Sequence, residues 1–124
     1  MALSQLRSLR KKTGGRYRSI RKKVKNKGNL PTLTTIGNLR KSIIRERGGR
    51  LKKRLLTTNI ANVYDPKEKK HYMCKIETVV NSPSNPNFVR RNIITKGSII
   101  KTDKGNAKVT SRPGQEGTCN AILI

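Results

Sequence analysis

The side chains able to take part in chemistry are mostly cations, and they are concentrated in the first half of the sequence. Thirty Lys and Arg stand against six Asp and Glu, for a formal net charge of +24. Residues 1–54 hold 19 of the cations and one acid, Glu46, a net +18, whereas residues 55–124 carry +6. Self-repulsion of this size opposes a compact state, and a polyanion relieves it and releases condensed counterions. The charge therefore predicts a nucleic acid, an anionic membrane surface or an acidic protein as partner.

Three sets of basic residues are candidates for contact with such a polyanion, and two of these sets are interleaved with glycine. Residues 11–27 offer cations to phosphates, Gly14 and Gly15 allow close backbone approach, and Tyr17 can stack on an unpaired base. A second set surrounds Gly48 and Gly49, and a third, weaker set lies near later turns. The candidate RNA-binding residues are Lys11, Lys12, Thr13, Gly14, Gly15, Arg16, Tyr17, Arg18, Arg21, Lys22, Lys23, Lys25, Lys27, Arg45, Arg47, Gly48, Gly49, Arg50, Lys52, Lys53, Arg54, Arg90, Arg91, Lys96 and Arg112.

Residues suited to catalysis or metal binding are few and scattered. The single histidine, His71, follows two lysines and has no carboxylate nearby in sequence to orient it as a general base, so we predict a surface or RNA-contact residue. Cys74 and Cys119 fit no metal-ligand spacing, so we predict two small buried apolar residues in a reducing setting. The carboxylates stand singly, and no phosphate-cradling glycine motif is present. The sequence therefore predicts no enzyme, no metal, no cofactor and no small-molecule substrate.

The elements that must position the cations are an arm and a β core. Residues 1–29 are too charged and glycine-interrupted to bury a core, and we expect an extended basic RNA-binding arm. The neutral stretch LPTLTTIG (30–37) changes character, so the boundary is placed there and residues 30–124 form the core. About six to seven short strands with frequent turns predict an all-β fold, a small antiparallel β-barrel.

Individual strands follow from alternation and turn signals. Residues 43–47 and 50–58 predict a hairpin with a two-residue turn at Gly48-Gly49, a glycine pair suited to positive φ. Its second strand would face Leu51, Leu55 and Thr57 inward and Lys52, Arg54 and Thr58 outward. Residues 71–80 alternate, with Tyr72, Cys74, Ile76, Thr78 and Val80 on one side. The remaining predicted strands are 59–64, 92–95, 98–102, 107–110 and 118–124, with loops or turns at 65–67, 81–87, 103–106 and 112–117.

Seven segments spread over the chain form a distinctive pattern. They are TGGRYR (13–18), PTLTTIG (31–37), RERGG (45–49), NIANVYDP (59–66), NPNFVRRNIITKGSII (85–100), TSRPGQEG (110–117) and NAILI (120–124). Together they resemble the eighth small-subunit ribosomal protein of the archaeal and eukaryotic type. The resemblance covers nearly the whole chain. Eukaryotic members carry a long insertion in the second half that this chain lacks, so it resembles the short archaeal-like form.

The resemblance implies a fold, a partner and a location. It implies a β-barrel-like core docked on small-subunit ribosomal RNA, with an N-terminal arm threading into the RNA and no enzyme activity. It assigns RNA contact to residues 13–18, 45–49 and 90–96. The implied partners are small-subunit ribosomal RNA and neighbouring ribosomal proteins, and the implied location is cytoplasmic and ribosome-bound, with no membrane.

Two other functions share the same charge. One is a free-standing nucleic-acid chaperone or DNA architectural protein, which sedimentation of a lysate would separate from a ribosomal protein. The other is a membrane-active basic domain, which would need a sustained amphipathic helix that the sequence lacks. The first ten residues also faintly resemble an organelle transit peptide, but they are short and run directly into charged sequence.

Overall fold

A computed structural model describes residues 8–18 and 29–124, with only the backbone of Arg47. The chain divides into two compact units, Met1–Pro31 and Thr32–Ile124, and each is described by itself. In the first unit, residues 8–18 form a small hairpin. Arg10 and Arg16 form an antiparallel bridge, and the Tyr17 N–H donates to the Leu9 carbonyl at 3.1 Å. The sequence predicted an extended chain, whereas this stretch folds back on itself.

The second unit is built almost entirely of short strands. Its helical elements are a 3-10 turn (Arg47–Gly49), α1 (Asn87–Arg90) and α2 (Pro113–Glu116). Its strands are β1 (Thr34–Ile36), β2 (Arg40–Arg45), β3 (Leu51–Thr58), β4 (Ile60–Asp65), β5 (Lys70–Asn81), β6 (Ile93–Ile94), β7 (Ile99–Thr102), β8 (Gly105–Val109) and β9 (Asn120–Leu123). Among the described residues, no helix is long and apolar enough to cross a membrane.

Five strands close into a barrel in the order β4-β5-β7-β8-β9, and a four-stranded sheet has the order β2-β3-β1-β6. The predicted all-β small barrel is confirmed. Two pairings are nevertheless parallel, β1 with β3 and β4 with β9, although the sequence predicted an antiparallel barrel. The β4–β9 pairing aligns Asn62 with Asn120, and it is the contact that closes the barrel.

The core lies inside the barrel, where alternating residues of each strand point inward. Val63, Ile100 and Ala107 are fully buried, each from a different strand. Burial of such apolar side chains is the main favourable term in folding. Cys74 and Cys119 join this core as free thiols, which confirms the prediction of two buried apolar residues.

Strand β5 shows where alternation alone misleads. Cys74 and Ile76 are buried as predicted, but Val79 is buried instead of Thr78 and Val80. The pairing of β5 with β7 shifts between Ile76 and Thr78, which marks a bulge. A bulge adds one residue to a strand and reverses the faces of the residues that follow. The predicted orientation of Thr78 and Val80 is therefore wrong.

The hairpin formed by β2 and β3 differs from the predicted one in its turn. Arg45 pairs with Leu51, so the five residues 46–50 connect the strands and the predicted two-residue turn is wrong. Gly48 and Gly49 have φ of 76° and 79°. The prediction that this glycine pair supplies positive φ is confirmed, because the wider loop also needs two left-handed residues.

Burial along β3 also departs from the prediction. Leu55 is buried as expected, but Leu51 is 63% exposed because the strand extends past the core there. Thr58, predicted to face outward, is buried, and its hydroxyl donates to the Ile60 carbonyl at 3.0 Å. The second of the two short helices, α2, lies within the predicted turn at residues 112–117 and packs against β3. A Cβ added at Gly117, the left-handed residue after α2, would lie 2.9 Å from Lys53 Cβ.

Candidate nucleic-acid interface

The small hairpin at residues 8–18 presents its cations to solvent. Lys11, Lys12, Arg16 and Arg18 are all exposed. The Lys11 N–H donates to the Gly15 carbonyl at 2.7 Å, and this backbone hydrogen bond closes the turn that carries the cations.

Glycine and tyrosine shape the tip of this small hairpin. Gly14 has a φ of 83°, and a Cβ built there would meet nothing within 4 Å. The surface at Gly14 is therefore open to a close-approaching partner. Tyr17 is half-buried, and Lys11 Nζ lies 5.7 Å from its ring centroid, within cation–π range. Candidate residues Thr13 and Gly15 are exposed in the same turn. The predicted cations Arg21, Lys22, Lys23, Lys25 and Lys27 lie outside the described residues.

The second basic set lies on the tip of the β2–β3 hairpin, residues 45–54, here called the hairpin tip. Strand register brings Arg45 and Lys53 to one face and Lys52 and Arg54 to the other. Arg45, Arg50 and Lys53 are exposed, as are both glycines of the loop. One cation is partly neutralised, because Lys52 Nζ lies 3.5 Å from the Glu46 carboxylate. The side chain of Arg47 is outside the described set.

Arg54 differs from the other cations of the hairpin tip because it is half-buried. Its Nε is buried and has no hydrogen-bond partner. A buried N–H left unpaired costs about 1–3 kcal/mol, so native structures usually satisfy it.

The third set is distributed over separate elements instead of forming one cluster. Arg90 and Arg91 are exposed at the end of α1, and Lys96 is exposed in the turn before β7. Arg112 is exposed immediately before α2, and its carbonyl accepts hydrogen bonds from the Gln115 and Glu116 N–H groups. The backbone of Arg112 therefore stabilises the turn, and its charged side chain is exposed to solvent.

Most cations in the described part of the chain have no carboxylate partner. The two ion pairs found there are Lys52–Glu46 and Lys101–Glu77, the latter at 2.9 Å. Lys104 is occupied in another way, with its Nζ 3.0 Å from the Tyr72 ring centroid. Most of the excess positive charge in this part of the chain therefore lies on the surface and is not neutralised by ion pairs.

The thiols are unsuited to catalysis or metal binding. Burial raises the pKa of Cys119 to about 12, and burial is also the main reason the pKa of Cys74 is raised. The thiolate is the reactive and metal-binding form, and it is scarce at neutral pH under these conditions. Within residues 8–18 and 29–124, no group of three His, Cys, Asp or Glu residues is placed to hold a metal ion.

One surface was missed by the sequence reasoning. His71 was predicted to be a surface residue with a possible RNA contact, and it is exposed on β5. Its ring lies 4.8 Å from that of Tyr64 on β4, and Asn62 donates to Asn120 at 3.2 Å beside it. The signal was available in the alternation of β4 and β5, which places Asn62, Tyr64 and His71 outward. The pairing of the two strands was needed to bring them together.

The closed barrel and its unpaired surface cations define the class, a small and highly basic β-barrel protein. The family model for ribosomal protein S8e matches residues 4–124, and the chain belongs to that family. Its members are structural proteins of the ribosome, which confirms the prediction that the chain is not an enzyme.

Archaeal relatives cover nearly the full length. The chain is 50% identical over 121 residues to small ribosomal subunit protein eS8 of Methanococcoides burtonii, covering 97% of each chain. It is 48% identical to the protein of that name from Pyrobaculum aerophilum, covering 94% of this chain and 91% of the relative. The match to the Methanobrevibacter smithii protein is 48% and covers both chains completely. The predicted resemblance is confirmed.

Proposed function

We propose that this chain is a structural constituent of the small ribosomal subunit and binds ribosomal RNA through its basic arm and basic barrel loops. Family membership and the names of its relatives support the assignment to the small subunit. The observation that carries the RNA-binding role is the display of exposed cations without carboxylate partners at residues 10–18 and on the hairpin tip. The partners are small-subunit ribosomal RNA and neighbouring ribosomal proteins, and the location is the ribosome in the cytoplasm.

The mechanism is charge neutralisation combined with rigid positioning. Each Lys or Arg that meets a phosphate releases a condensed counterion, and this release drives association. Phosphate contacts fix orientation and carry no base sequence. The barrel holds the hairpin tip and the turns at Arg90, Lys96 and Arg112 at fixed separations, so it sets the register of the contacts.

Salt dependence tests the mechanism directly. Binding of the full chain to small-subunit RNA should weaken with a log–log slope of about −0.7 to −0.9 per phosphate neutralised. Replacing Arg45, Arg50 and Lys53 by Gln should make the slope less steep by about 2–3. The control is Lys101→Gln, which removes a cation already paired with Glu77 and should change the slope little. Equal binding at low and high salt would contradict the mechanism.

The division into an RNA-binding arm (1–29) and a barrel core (30–124) belongs to the same proposal. Deleting residues 1–28 should leave the barrel folded and remove much of the RNA affinity, because these residues hold 11 cations and no acid. Circular dichroism would report folding and filter binding would report affinity. An unfolded deletion variant would show that the boundary is misplaced.

Sedimentation distinguishes a ribosomal constituent from a free-standing nucleic-acid chaperone or DNA architectural protein. The chain should migrate with the small subunit at moderate salt. A pool that migrates free or with chromatin would argue for the other function.

A further inference from the structure

The outer face of the barrel on β8, β9, β4 and β5 has a composition unlike the rest of the surface. Strand register places Lys108, Ile122, Tyr64 and His71 in one row across the four strands. A second row beside it contains Asn120, Asn62 and Met73. These seven outward residues, here called the ring-and-amide face, include no carboxylate.

Two rings form the centre of this face. The Tyr64 and His71 centroids are 4.8 Å apart with an interplanar angle of 39°. Tyr64 is half-buried and His71 exposed, so the phenol is fixed by packing while the imidazole remains accessible. Exposed rings on a strand face are the usual platform for unpaired bases, since every base has a π-face to stack.

The paired amides beside the rings supply hydrogen-bonding groups. Asn62 Nδ2 donates to Asn120 Oδ1 at 3.2 Å, which fixes both side chains. The bond leaves the Asn62 carbonyl oxygen as an acceptor and the Asn120 amide as a donor. Asn62, Tyr64, His71, Thr110, Asn120 and Ile122 line a single groove. A base stacked on His71 would thus lie next to both a donor and an acceptor.

We propose that the ring-and-amide face binds unpaired nucleotides of RNA, with bases on the Tyr64–His71 rings and the backbone near Lys108. This proposal deepens the proposed function, because it rests on RNA being the partner and adds a base-binding site to the phosphate contacts. Charge complementarity favours RNA over an acidic or apolar protein surface. The face carries a cation, Lys108, at its edge and two polar amides at its centre, whereas the core of a protein interface is depleted of charge and more apolar.

The test compares two strands that share a backbone and differ in bases. The full chain is titrated with an oligouridylate of about twelve nucleotides and with an abasic ribose-phosphate strand of the same length. Phosphate contacts bind both strands, so the wild-type preference for oligouridylate measures base binding alone. We expect that preference to be about tenfold, because stacking of even one base is worth that much.

Variants assign the preference to the rings. His71→Ala and the double variant with Tyr64→Leu should reduce the preference several-fold and leave binding to the abasic strand unchanged, since any stacking on Tyr17 is the same in all of these proteins. The matched control is Tyr72→Leu, a half-buried tyrosine on β5 whose ring is already covered by Lys104. It should keep the preference. His71 is exposed, so its single variant keeps the test valid if the double variant fails to fold.

The outcomes separate this site from the proposed function. No wild-type preference for bases, or a preference that His71→Ala leaves unchanged, would overturn the ring-and-amide face as a base-binding site. Failure to bind either strand in a salt-dependent way would instead overturn the proposed function. Variants that keep all RNA affinities but no longer sediment with the small subunit would make this face a protein contact, contrary to the proposal.

Discussion

The two halves of strand β3 lie in different environments. In the half near the barrel, Leu55 and Thr58 are buried, and the Leu55 carbonyl accepts a hydrogen bond from the buried Thr34 hydroxyl at 2.7 Å. In the half that belongs to the hairpin tip, Leu51 and Lys53 are exposed. The comparison teaches that one strand serves two purposes. Its inner half, near the barrel, contributes buried side chains to the core. Its outer half, in the hairpin tip, presents charged side chains to solvent.

The largest expected effect tests the barrel side of this comparison. Ile100→Ala removes a fully buried side chain from β7 and should lower the free energy of unfolding by about 2–5 kcal/mol. Ile43→Ala is the matched change on the hairpin, where the side chain is 62% exposed, and it should cost less than about 0.5 kcal/mol. Urea denaturation of both variants measures the difference. Similar losses would mean that the hairpin is as much a part of the core as β7.

The junction between the two regions gives the next effect. Gly117 has a φ of 77°, and an added Cβ would lie 2.9 Å from Lys53 Cβ on β3. Gly117→Ala combines left-handed strain of about 1–2 kcal/mol with a steric clash against Lys53 Cβ of about 1–3 kcal/mol. Gly97→Ala has a similar φ of 85° and open space around its Cβ, so it should show the strain alone. Thermal unfolding of the pair isolates the contact between α2 and β3, and equal shifts in Tm would refute it.

The buried thiol of Cys119 should make the stability of the barrel side depend on alkaline pH. Burial raises its pKa from 9.0 to about 12. The unfolded chain therefore loses this proton first as pH rises, and the folded state becomes less stable between pH 9 and 12. The slope is at most about 1.4 kcal/mol per pH unit. Cys119→Ala should remove that part of the pH dependence. Stability curves of the two proteins from pH 8 to pH 11 give the measurement, and parallel curves would contradict a buried thiol.

The smallest effect on stability is expected on the hairpin tip. Arg45→Gln together with Lys53→Gln should change the free energy of unfolding by less than about 0.5 kcal/mol, because both side chains are exposed without a carboxylate partner. Lys101→Gln, which breaks an exposed ion pair with Glu77, should cost about 0.2–1 kcal/mol. Chemical denaturation compares them. A larger loss at the tip would mean that the cations stabilise the fold and are not reserved for a partner.

The sequence predicted the barrel class and most strands because turn residues and alternation are local signals. It did not predict that Thr78 and Val80 lie on the opposite face of β5 from Cys74 and Ile76, since the bulge depends on how β5 pairs with β7. The parallel contacts of β4 with β9 and β1 with β3 were also beyond it. Such pairings join residues far apart in the chain, and no local pattern encodes them.

The candidate site divides in the same way. Exposed cations at the hairpin tip were predictable from composition and glycine placement. The unpaired Nε of Arg54 was not, because its burial depends on how β3 packs in the fold. Nor was the closeness of Tyr64 to His71, which the register of β4 with β5 creates.

The closing pair of the barrel has a consequence for the order of events during synthesis. Asn62 and Asn120 face each other across the β4–β9 seam, yet they are 58 positions apart. At about 5–20 residues per second, a ribosome needs about 3–12 s to travel from one to the other. Until β9 is made, β4 lacks its partner on that side and presents an unpaired sheet edge, which is a template for aggregation. The barrel can therefore close only after β9 has been made, late in the synthesis of the residues that form it.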